Sequence, residues 1–115
     1  MDRVLGRLLA LGPVRARAMF GAWGLFLDDV MFGLIAGERL YFKVDAETEP
    51  RFAAAGAQAF TYARRGERVA MSYREAPAGA LETAAALLPW AELGLVAARR
   101  ARTKGAKARR PRRRP

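Results

Sequence analysis

The 115-residue chain contains no cysteine and no histidine. The first absence removes disulfides, thiolate nucleophiles and iron–sulfur ligation, and it fits a reducing compartment. The second removes the commonest general base. Together they leave carboxylates alone for zinc, an unusual ligand set. A serine triad is excluded as well, because Ser72 has no imidazole to activate it. Long apolar runs are also missing. The best window, MFGAWGLFLDDVMFGLI at residues 19–35, is broken by Asp28 and Asp29. It falls short of the roughly 18–20 apolar residues that span a bilayer. The N-terminal residues have short apolar runs but no clean signal-peptide cleavage site. The expectation is a soluble, cytoplasmic protein with no membrane partner.

What is present is unevenly spread. The formal net charge is +10. Residues 1–98 hold eleven Arg and Lys against eleven Asp and Glu, whereas residues 99–115 hold ten Arg and Lys and no acid. The body is therefore neutral and carries a basic tail. That tail has Pro, Gly and like charges and little to bury, so residues 102–115 are expected to be disordered. Residues 1–101 make one domain, and a 52% hydrophobic composition gives it a core.

Hydrophobic periodicity places the elements. Asp2 is a candidate cap for a first helix carrying Val4, Leu5, Leu8, Leu9 and Leu11, ended by Gly12-Pro13. Residues 14–18 alternate small or apolar residues with Arg15 and Arg17, as a strand with one wet face does, either joined to the first meander strand around the glycine bend, which gives five strands, or as a separate strand. Residues 24–27, 30–36 and 39–44 then form a meander, because turns as short as Asp28-Asp29 and Gly37-Glu38 join only antiparallel neighbours. In the third strand Leu40, Phe42 and Val44 share one face, and Tyr41 and Lys43 the other. A second helix starts near Asp45 or Thr48, with Thr48 as cap placing Pro50 at its second position, and Gly56 closes it. Residues 60–64 and 68–72 read as a hairpin about Arg65-Gly66-Glu67. Thr83 caps a last helix through Leu87, Trp90, Ala91 and Leu95, in which Pro89 is expected to kink the helix or mark a second start. The fold class is α+β: a two-layer, mostly antiparallel five-stranded sheet with helices on one face, in the order α-β-β-β-α-β-β-α.

Few residues suggest chemistry. Gly21 and Gly24 lack the spacing of a dinucleotide fingerprint and precede a strand, whereas phosphate-binding glycines precede a helix. They read as bend positions where the backbone needs positive φ, and Gly33 as a close-packing position. Asp28, Asp29 and Asp45 are explained as turn and cap residues, without EF-hand spacing. Ser72, Tyr73 and Glu75 do not assemble an acid, a base and an electrophile. No catalytic residue, metal site or cofactor is expected. An interaction surface is expected at Met19, Phe20, Gly21, Trp23, Gly24 and Tyr73. Arg99, Arg100, Arg102, Lys104, Lys107, Arg109, Arg110, Arg112, Arg113 and Arg114 would attract nucleic-acid phosphates without reading sequence.

Three segments then match a known pattern. Residues 14–56, VRARAMFGAWGLFLDDVMFGLIAGERLYFKVDAETEPRFAAAG, resemble the N-terminal domain of the TfoX/Sxy family. So do residues 60–77, FTYARRGERVAMSYREAP, and residues 87–101, LLPWAELGLVAARRA. The MFG glycine segment, the LYFKVD strand-to-helix junction and MSYREAP carry the resemblance together. It implies a small domain with a mostly antiparallel sheet and helices on one side. It also implies a non-enzymatic regulator of competence genes. A two-layer fold covers only one sheet face, so the other is expected to meet a protein, either a second copy of the chain or a transcription factor. Family members add a C-terminal domain resembling helix–hairpin–helix modules, where this sequence has its basic tail. This chain is accordingly expected to be a stand-alone form of the first domain. The alternative expectation is an auxiliary nucleic-acid binder that uses the tail.

Overall fold

The computed structural model describes residues 2–19 and 21–109. A short helix α1 (Asp2–Arg7) and a 3-10 turn (Leu9–Leu11) lead into the strands β1 (Arg15–Met19), β2 (Ala22–Leu27), β3 (Val30–Ala36) and β4 (Arg39–Lys43). Helix α2 (Glu49–Ala54) separates these from the hairpin of β5 (Ala59–Arg64) and β6 (Glu67–Glu75). A second 3-10 turn (Ala80–Glu82) precedes the long helix α3 (Ala84–Arg109). The strands form one sheet in the order β1-β2-β3-β4-β6-β5, and neighbouring strands pair antiparallel throughout the described residues.

The sheet has six strands, not five. The extra one is β1, whose residues Arg15 to Met19 pair along β2 from Phe26 back to Ala22. Gly21, at φ +75°, lets the chain reverse between them. Two-residue turns build the other hairpins. Asp28 and Asp29 both take positive φ, as do Arg65 and Gly66, which is the backbone that matches strand twist in a tight hairpin. Aspartate tolerates this region better than most side-chain-bearing residues.

The core lies between the sheet and the helices. Phe32, Phe42, Phe52, Leu8, Leu25 and Leu87 are fully buried there. Each such side chain contributes roughly 1.5–3 kcal/mol relative to exposure. A bulge helps to fill this layer. Leu25 is opposite Gly33 and Phe26 is opposite Met31, which leaves Phe32 as an extra residue on β3. Strict alternation would put Phe32 and Phe42 on opposite faces. With the bulge they stack, ring centroids 6.3 Å apart.

Helix α2 has Thr48 as its cap residue and Pro50 in its first turn, and Gly56 follows its end at φ +79°. Phe52 of α2 meets Trp90 of α3 edge to face at 4.9 Å. Helix α3 starts where expected, with Thr83 Oγ1 accepting from the Ala86 amide at 3.0 Å. It continues past Pro89 and past the boundary expected at residue 101. The Ala-, Lys- and Arg-rich sequence there propagates a helix that packing has already nucleated.

Candidate interaction surface

Strand register separates the two faces of the sheet. One row runs Ala16, Leu25, Gly33, Phe42, Arg74, and belongs to the side covered by helices. Arg74 confirms the side, because its guanidinium bonds Glu49 of α2 and the Ala57 carbonyl. The next row runs Arg17, Gly24, Leu34, Tyr41, Glu75, and belongs to the opposite side. Gly94 of α3 lies against the Phe42 side chain and Glu49 of α2 against Arg74, so among the described residues the helices cover the first face. The second is an open face.

The open face is apolar along much of its length. Gly24 is its low point. A Cβ there would sit 2.8 Å from the Met19 sulfur, 3.0 Å from the Phe26 ring and 3.1 Å from the Met31 sulfur. Glycine thus lets three large side chains close over the sheet. Leu34 is buried beside them, and Tyr41 meets Phe60 edge to face at 4.9 Å. Burial pushes the Tyr41 hydroxyl up; Glu75 adds to this and Arg39 opposes it.

Tyr73 and Lys43 form a cross-strand pair on this face. The tyrosine is only 6% exposed, and burial pushes its hydroxyl up to about 12. It donates a long hydrogen bond of 3.5 Å to the Met31 carbonyl. The Lys43 ammonium lies 5.4 Å from the Tyr73 ring centroid and donates to Ser72 Oγ at 2.6 Å. Desolvation lowers the Lys43 pKa, against the attraction of Asp45. Arg15 and Arg17 rim the β1 side, and Arg39 is held by Glu75 at 3.0 Å.

The sequence-predicted surface residues do not share one patch. Met19, Gly24 and Tyr73 belong to the open face, but Tyr73 is covered by its neighbours. Trp23 pairs with Ile35 and lies on the opposite face, 40% exposed. Gly21 sits in the β1–β2 turn, and Phe20 lies outside the described residues. Gly24 itself is a packing position within β2 and not a positive-φ bend. Phe26, Met31, Tyr41 and Phe60, all half-buried, join the surface instead, with Leu34 buried beneath them. Their signal was period-2 apolarity on the face away from Leu25 and Phe42.

The basic segment is tied to the body at its base. Arg99 meets Asp28 at 3.4 Å, and Arg102 donates to the Asp28 carbonyl at 3.2 Å. Arg100 donates to both oxygens of Asp45, at 2.7 and 3.2 Å, and lies 3.6 Å from Glu47. Asp45 also accepts from the Glu47 and Thr48 amides at 3.0 Å each. The Arg100 guanidinium, followed by those amides, holds the Asp45 carboxyl down at about 2, against a desolvation effect that raises it. Lys104, Lys107 and Arg109 fall on α3, while Arg110, Arg112, Arg113 and Arg114 lie outside the described residues.

Among the described residues, no group of three or more acidic side chains is placed to hold a metal ion, and no helix is long and apolar enough to cross a membrane. Two surface clefts stand out. One of about 760 Å³ is lined by Val4, Ile35, Leu40 and Leu81 with Arg3 and Arg39. Another, of about 620 Å³, follows β1 and the β2–β3 turn.

Residues 7–98 match the family model described as the TfoX N-terminal domain. The chain is also 32% identical over 72 residues to the DNA transformation protein TfoX1 of Aliivibrio fischeri. That alignment covers 63% of this chain and 34% of the relative, so the chain spans about a third of that protein's length.

Proposed function

The chain belongs to the TfoX N-terminal domain family, and from that premise we propose a non-enzymatic regulatory protein that acts through protein–protein contacts. The observation that carries this reading is the open sheet face. A two-layer fold that leaves Met19, Phe26 and Met31 on an uncovered sheet offers a surface for another chain. Its polar groups are a rim of cations and a tyrosine–lysine pair, which suit recognition better than bond making. Regulation of competence is the process this reading assigns, supported by the family resemblance and by a relative described as a DNA transformation protein. A transcription factor or a second copy of the chain is the partner.

Affinity capture from a nuclease-treated native extract tests this. The full chain and a chain ending at Thr103 should retain the same protein, because both keep the sheet and the contacts of Arg99, Arg100 and Arg102. Retention of nothing but nucleic acid, lost on nuclease treatment, would sink the reading. That outcome favours the second one, in which the cations from Lys104 onward hold phosphates. The body already pairs Arg99, Arg100 and Arg102. In that case retention falls steeply with salt and disappears on ending the chain at Thr103.

A further inference from the structure

Strand β1 is an edge of the sheet, paired on one side only, by β2. Edges of this kind are templates for a further strand. The cleft beside it, about 620 Å³, is lined by Pro13, Arg15, Arg17 and Phe26, with Asp28 and Asp29 at the Arg15 end. Arg15 and Arg17 are both exposed, and they share the open face because they are two residues apart on a strand. Among the described residues, neither makes an ion pair with a carboxylate. Elsewhere in the structure the exposed arginines Arg39 and Arg99 have found acids.

Two occupants compete for this edge. A second copy would pair β1 with β1 about a two-fold axis. With the open faces aligned, centring on Arg17 sets Arg17 against Arg17, centring on Ala16 sets Arg15 against Arg17, and centring on Ala18 sets Arg17 against Met19, which gives neither arginine an acid. Like charges directly opposite one another are destabilising in a ladder. An acidic strand has the complementary charge in the same registers. Antiparallel addition, the mode by which the described strands of this sheet pair, would place acids opposite Arg17 and Arg15 and an apolar residue opposite Met19.

We propose that the free edge of β1 is a docking site for an extended acidic segment of a partner protein, added as a seventh, antiparallel strand. Read in chain order, the segment carries an apolar residue, then an acid two positions on, then a second acid two positions further. Main-chain bonds to β1 give affinity, and the two arginines select the acids. The proposal rests on the protein-contact reading above and names the chemistry of the partner. The alternative role for Arg15 and Arg17 is to keep edges of neighbouring copies apart, with no ligand at all.

The experiment uses the full chain and a short labelled peptide of that pattern, with glutamates as acids in a Thr- and Ser-based strand former, and its lysine twin. Fluorescence anisotropy should show the glutamate peptide binding and the lysine peptide failing to bind. The exposed substitutions Arg15→Glu with Arg17→Glu should weaken the glutamate peptide about tenfold or more and admit the lysine peptide. Arg15→Gln with Arg17→Gln should fall between, and circular dichroism checks that both variants fold. Amide exchange should slow along β1 when the glutamate peptide is bound. Equal binding of both peptides, indifference to the arginine substitutions, protection of β5 instead of β1, or no binding would each overturn the proposal. No binding, together with a captured protein that the Arg15→Glu/Arg17→Glu chain retains equally, would overturn the edge site while leaving the protein-contact reading intact. Charge-selective binding at β1 with no protein captured would do the reverse.

Discussion

Asp45 shows how far a local reading of one residue reaches. As a turn-and-cap residue before α2 it was legible, because Asp followed by a polar turn is a local hydrogen-bonding pattern. The structure fulfils that role through the Glu47 and Thr48 amides, while Thr48 Oγ1 accepts from the Asp45 amide in return. Its partner Arg100 was not legible. It lies 55 residues away and meets Asp45 only because α3 crosses the sheet. The consequence is a pH dependence of stability. In the fold the carboxyl sits at about 2, below the roughly 3.9 of an unfolded aspartate. A depressed folded value means stabilisation that is present above about pH 4 and is lost as the pH falls toward 2. Asp45→Asn should therefore lower the urea midpoint at pH 7. The gap from the unaltered chain should close as the pH drops from about 4 to about 2. A gap that stays constant across that range would mean that the carboxylate charge contributes nothing.

At the scale of elements, local signals found most boundaries and long-range packing decided the rest. The Thr83 cap, the Thr48 start and the two-residue turns were readable because each depends on a few adjacent residues. The bulge at Phe32 was not, since an apolar run with large side chains on both faces fits either phase of alternation. Pro89 does not mark a second start, because α3 runs through it. Pro89 is exposed, so water can serve the carbonyl that its missing N–H leaves free. Gly94 escaped notice altogether, because one glycine in a helical pattern is ambiguous without its neighbours. It is where α3 touches the sheet: a Cβ would lie 2.9 Å from the Phe32 carbonyl oxygen and 3.1 Å from the Phe42 Cβ. Two effects oppose each other on Gly94→Ala. Helix propensity favours alanine by ~1 kcal/mol. Overpacking against backbone that cannot yield costs ~1–3 kcal/mol. Packing should win, and Gly94→Ala should lower stability in urea unfolding, with Gly94→Val lower still. Gly6 in α1 has nothing within 4 Å of its Cβ position, so Gly6→Ala should be neutral or stabilising. If Gly94→Ala also stabilised, α3 would not press on the sheet in this way.

For the whole molecule, the split between a neutral body and a basic end was legible from composition, but the way the two join was not. The sequence boundary at residue 101 follows where apolar residues stop. The structure extends α3 beyond it and fastens its basic turn to two separate parts of the sheet: Asp28 at the β2–β3 turn and Asp45 after β4. Arg99, Arg100 and Arg102 therefore belong to the domain electrostatically, although their charge assigned them to the tail. Exposed ion pairs contribute only ~0–1 kcal/mol each, but Arg100 is half-buried and serves two carboxylates. A chain ending at Ala98 loses all of these contacts and leaves Asp28 and Asp45 without their arginine partners. A chain ending at Thr103 keeps them. The first should melt several degrees below the second, because ~1 kcal/mol shifts the midpoint of a domain this size by about 4–8 °C. The gap should narrow at about 1 M salt, where screening shortens to about 3 Å. Equal melting of the two would reduce these pairs to surface decoration. A gap indifferent to salt would assign the loss to the missing helical turn and not to charge.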